Sequence, residues 1–82
     1  MSRYVIDSCD DEHLILGDEG IAFDTLEDAR TAALAALPDM ARDKLATGDH
    51  RTFSTAVRDM DGTVFYRATL TLADEWLNAP NR

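Results

Sequence analysis

Five consecutive residues, Cys9, Asp10, Asp11, Glu12 and His13, bring together a thiol, three carboxylates and an imidazole. Metal sites and nucleophilic centres are built from such groups. A closed zinc site, however, takes about four ligands, usually as two separated pairs. There is no second cysteine, and the other histidine, His50, lies far along the chain. The spacing therefore reads as a solvated acidic loop. His13 stands near Cys9 in sequence but in no motif where an imidazole activates a thiolate. A second candidate, Asp59-Met60-Asp61-Gly62, opens like a calcium loop, and Thr63 has a hydroxyl for the fifth position. The twelfth position is Leu70, where a bidentate glutamate is required, so a tight hairpin turn is the better reading. Sixteen carboxylates leave an acid–base pair open, yet a chain of 82 residues has little room for an enclosed pocket of about 300 Å³. The expectation is no catalytic residues, no metal and no cofactor.

The elements that would position these groups follow from periodicity. Tyr4 and Ile6 alternate with Arg3, Val5 and Asp7, the period of a half-buried strand. After a polar break from Ser8 to Glu12, His13-Leu14-Ile15-Leu16 reads as a second strand, and Gly17-Asp18-Glu19-Gly20 as a turn. A helix is predicted over Thr25–Thr47. Asp24 or Thr25 can cap it, and Glu27 and Asp28 favour the positive end of its dipole. Leu26, Ala29, Ala33, Leu37, Met40 and Ala41 share its inner face. Pro38 removes the bond to the Leu34 carbonyl, so the helix either kinks or restarts there; the continuous apolar face favours a kink. Gly48 suits a C-terminal cap. Thr52–Asp59 and Thr63–Thr71 form a second hairpin, with Val64, Tyr66, Ala68 and Leu70 on one face. Leu72 and Trp76, four apart, predict a short helix in the tail.

The architecture is thus α+β: one domain over residues 1–72, ββαββ, with an antiparallel sheet under one long Pro38-kinked helix, and a tail over 73–82 that forms a short helix and then frays from Asn78. A chain this short buries only about 60–65% of its unfolded surface. Tyr4, Ile6, Leu26, Ala33, Leu37, Met40, Phe53, Val57, Val64, Tyr66 and Leu70 are the expected core. One helix covers one sheet face, so Val5 and Phe65 need another cover or a partner.

Charge narrows the function. Acids outnumber Lys and Arg sixteen to eight, and residues 1–24 hold seven acids against Arg3 alone. Such a field repels nucleic-acid phosphates and anionic membranes. The lone cysteine, and an opening that leads straight into strand alternation rather than an apolar leader, predict a cytoplasmic location. No stretch approaches the roughly 18 apolar residues of a membrane span.

Several segments together resemble a family of short bacterial domains of unknown function, mostly from soil and plant-associated species. They are Met1-Ser2-Arg3-Tyr4 with Asp7, the Asp18-Glu19-Gly20 turn, Leu26 to Leu34, and Val57-Arg58-Asp59-Met60-Asp61-Gly62-Thr63-Val64. The resemblance covers about residues 1–72 and departs at Pro38, at Ala32 and from Ala73 onward. It implies a stand-alone α+β domain with no known catalytic residues. A weaker likeness, carried by Asp24-Thr25-Leu26-Glu27-Asp28-Ala29 after the first strands, is to antitoxin domains of HicB type, whose F-P-D-L-P-G segment is missing here.

The expected function is a non-enzymatic protein-interaction module, possible as a homodimer, with Phe65 and Trp76 as contact residues. The alternative is an acidic docking protein, antitoxin- or inhibitor-like, that meets a basic partner through residues 7–19, with Asp10, Asp11 and Glu12 at its centre.

Overall fold

A computed structural model describes residues 3–10, 13–17, 21–45 and 52–78, with the side chains of 44 and 45 excepted. Its elements are β1 (Tyr4–Asp10), β2 (His13–Ile15), α1 (Leu26–Leu45), β3 (Thr52–Asp59) and β4 (Val64–Thr71). The strands form one antiparallel sheet in the order β2-β1-β3-β4, and α1 packs on one face, chiefly over β3. The expected ββαββ fold is therefore present.

The helix begins where its capping chemistry lies. Thr25 Oγ1 accepts the Asp28 N–H at 3.1 Å and the Thr25 carbonyl accepts the Ala29 N–H at 3.2 Å, which makes Thr25 the N-cap. Ala29, Ala33, Leu37 and Ala41 form a buried row at four-residue spacing. Small side chains in that row bring the axis close to the sheet. Ala29 and Ala33 meet Val57, with Tyr4, Ile6, Phe23 and Tyr66 around them; Leu37 and Ala41 meet Phe53, with Met40 and Ala68. Buried Thr55 donates its hydroxyl to the Ala33 carbonyl at 3.0 Å and so ties β3 to the helix. The helix runs through Pro38 without restarting. The carbonyl that loses its donor belongs to Leu34, an exposed residue.

Several expectations change. The polar run after Ser8 is strand as far as Asp10, because β3 pairs along its whole length, from Tyr4↔Asp59 to Asp10↔Phe53. Val64 does not share a face with Tyr66. A register shift between Val57 and Arg58 sets Val64 across from Arg58, on the sheet face away from α1, while Tyr66 stays across from Val57. The same irregularity lets Phe65 reach the Tyr4 ring edge-on, with centroids 5.8 Å apart. Val5, expected to need a cover, is fully buried. Leu26, Val64 and Leu70, expected in the core, are exposed; Leu26 occupies the first position after the cap, and Leu70 lies on an edge strand. The tail over 72–78 is not helical. An isolated two-turn helix with no packing surface does not recover its nucleation cost. Gly48, and the turn residues Asp18 to Gly20, lie outside the described residues.

The β3–β4 turn is built as its sequence implies. Gly62 donates to the Asp59 carbonyl at 3.2 Å, Asp59 donates to the Thr63 carbonyl at 3.0 Å, and Gly62 has φ 91°. A β-carbon at Gly62 would meet nothing within 4 Å, so only the backbone conformation opposes substitution. Gly62→Ala is expected to cost about 1–2 kcal/mol, and Gly62→Asn clearly less, in urea denaturation. Equal costs would show that φ does not set the preference.

Candidate functional site

Strand pairing decides which of the candidate residues meet. Asp10, opposite Phe53 and His13, points to the helix side and is only 5% exposed. His13 Nδ1 stands 3.7 Å from Asp10 Oδ1. Asp10 is therefore an inward carboxylate, and a docking face on this hairpin would draw on Asp11 and Glu12, which lie outside the described residues. Cys9 points to the opposite face, across from Leu14 and Ser54. The thiol and imidazole thus stand on opposite faces of the sheet, which separates the nucleophile from its would-be base. Among the described residues no group of three or more His, Cys, Asp or Glu side chains is placed to hold a metal ion.

Two further carboxylates, Asp59 and Asp7, are occupied. Asp59 Oδ1 accepts the N–H groups of Asp61 and Thr63, each at 2.9 Å, which makes the would-be calcium loop a self-satisfied turn. Asp7 Oδ2 accepts from Arg58 Nε at 2.8 Å, and Asp7 Oδ1 accepts the Gly17 N–H at 2.7 Å. Arg58 stands directly across from Val5, so it reaches Asp7 along the diagonal of the β1–β3 ladder. This pair lies on the face that α1 leaves open. A shallow groove of about 290 Å³ crosses the same face, lined by Asp7, Cys9, Leu14, Ser54, Ala56 and Arg67. Sequence reading missed the Asp7–Arg58 pair because its members are 51 positions apart.

The second accessible surface is apolar. Along β4 and the tail, Val64, Phe65, Leu70, Leu72, Trp76 and Leu77 are all exposed, Phe65 to 50%, Trp76 to 74% and Leu77 to 82%. Both apolar contact residues named from the sequence, Phe65 and Trp76, fall in this run. No helix is long and apolar enough to cross a membrane.

No curated protein and no solved structure matches the chain. A family model described as "Domain of unknown function (DUF6894)" matches residues 3–71, from the residue before β1 to the last residue of β4. With all four strands and the helix inside that match, the chain belongs to the DUF6894 family of domains of unknown function.

Proposed function

We propose that the chain is a non-enzymatic protein-interaction module whose contact surface is the β4 edge and the tail that follows it. The observation that carries this reading is the set of exposed large apolar side chains on β4 and the tail, Val64, Phe65, Leu70, Leu72, Trp76 and Leu77; a smaller set, Leu14, Ile15, Leu16 and Ile21, is exposed on and after β2. Large apolar side chains exposed along a strand edge are costly to leave in water and prone to association. The internal use of Asp7 and Asp59 supports a structural role for those carboxylates.

A photoreactive amino acid at position 65 or 76, with position 42 on the exposed helix surface as control, tests the assignment in cells that make the protein. Discrete protein adducts are expected from 65 and 76 and none from 42. Adducts of equal yield at all three positions, or at none, would overturn it.

A further inference from the structure

We infer that the partner of this edge is a second copy of the chain, the tail of each copy adding as an antiparallel strand to β4 of the other around a twofold axis at Thr71. This rests on the interaction-module reading and deepens it by naming the partner.

The two edges of the sheet differ. β2 is three residues long, and further along β1 that side is closed by Phe23, which exchanges hydrogen bonds of 2.9 and 2.8 Å with Tyr4. β4 is eight residues long and contains no proline, lysine or acid; of the devices that keep an edge single it has Arg67 and the irregularity opposite Val57 and Arg58. Charge also favours this edge for self-contact. Asp7 and Asp10, the acids of β1, lie two strand spacings or about 9.5 Å from β4, beyond the physiological Debye length of about 8 Å. Residues 62–73 contain no carboxylate and one cation, Arg67, and the acids that follow in the tail are Asp74 and Glu75. β4 itself therefore adds no acidic charge to a contact between two copies, each of net charge −8.

The tail lies outside the sheet of its own chain. It follows β4 with no helix, and Leu72, Asp74 and Trp76 alternate with Ala73, Glu75 and Leu77. A twofold axis perpendicular to the sheet preserves faces, so a residue on the axis pairs with its own copy. With Thr71 there, Leu70 lies opposite Leu72 of the second copy, Arg67 opposite Glu75 and Tyr66 opposite Trp76. The aromatic pair falls on the helix side, where the Arg30 guanidinium already covers the Tyr66 ring at 5.5 Å. The ion pair falls on the open side. Placing Leu70 on the axis would set Tyr66 against Asp74 and Arg67 against Ala73. Placing Leu72 there would set Leu70 against Asp74. Of the three, Thr71 alone sets Arg67 against an acid and Tyr66 against an aromatic ring; Ala68 then lies opposite Asp74. A cleft of about 100 Å³ lined by Ala41, Phe53, Leu70, Thr71 and Leu72 lies beside this axis, where the paired leucines would meet.

The register is tested with the full chain in a Cys9→Ser background, which removes the only native thiol. Opposed Cα atoms in an antiparallel pair are about 4.5–5.5 Å apart, within disulfide range. Thr71→Cys should give a covalent dimer on mild oxidation, and Thr69→Cys, which lies opposite Ala73, should not. In sedimentation equilibrium with native cysteine, Arg67→Glu or Glu75→Arg alone should weaken the dimer about tenfold, and the double reversal should restore it. The emission of Trp76, the sole tryptophan, should shift to shorter wavelength as concentration rises. A monomer at every concentration, equal crosslinking at 69 and 71, or no rescue by the double reversal would overturn the inference. Adducts to other proteins at positions 65 and 76 would then leave the interaction module standing, whereas their absence would remove both.

Discussion

Asp7→Ala is expected to lower the free energy of unfolding by about 3 kcal/mol. Asp7 and Arg58 are 12% and 14% exposed at their side chains, so the pair is largely withdrawn from water and little screened. Removing one member of a buried pair leaves the other charge uncompensated, at about 3–5 kcal/mol; the residual exposure places this case at the low end. The second oxygen of Asp7 adds to the loss, since the Gly17 N–H would be left without its acceptor. The geometry at Gly17 leaves little freedom to compensate: a β-carbon there would come within 2.3 Å of the Ile6 carbonyl oxygen, so the segment is held against β1. Asp7→Asn keeps an acceptor for Gly17 and should cost less. The double variant Asp7→Ala with Arg58→Met should recover part of the loss, because an apolar pair has no stranded charge. Urea denaturation of the wild type, Asp7→Ala, Arg58→Met and the double variant closes the cycle. A cost for Asp7→Ala within about 0.5 kcal/mol of zero would show that the pair is no more than a surface contact.

That pair also marks where sequence reading stops. Features set by neighbours in the chain were legible: the Thr25 cap, the four-residue row from Ala29 to Ala41, and the Asp59–Thr63 turn with its glycine at positive φ. Each depends on side chains within a few positions of the backbone they satisfy. Features set by strand partners were not. Ser8 to Asp10 looks like loop and becomes strand only because Phe53, Ser54 and Thr55 lie across from it. Val64 changes face because of one irregularity between Val57 and Arg58, and a register slip leaves no trace in apolar periodicity. The candidate surface was half legible for the same reason. Phe65 and Trp76 were readable as aromatic candidates, but whether an aromatic residue lies under a helix or at an edge depends on the strand order. Asp10 shows the converse, an acid whose inward direction follows from its place opposite Phe53.

Phe53 and Phe65 should separate core from surface most sharply. Phe53 is 1% exposed between Leu37 and Ala41, so Phe53→Ala removes a fully buried ring and leaves a cavity under the helix. The expected loss is about 3–5 kcal/mol. A chain of this length has a total stability of about 4–12 kcal/mol, so the variant should be marginal at 25 °C, and Phe53→Leu should be the milder probe. Phe65→Ala removes a half-exposed ring with one edge contact to Tyr4 and should cost about 1 kcal/mol. Urea midpoints compare the two directly. Similar losses would make Phe65 a core residue and undercut its place in the contact surface. The predicted disparity has a functional consequence: if Phe65 can be truncated while the fold stays intact, any loss of association in Phe65→Ala is a property of the β4 edge and not of unfolding.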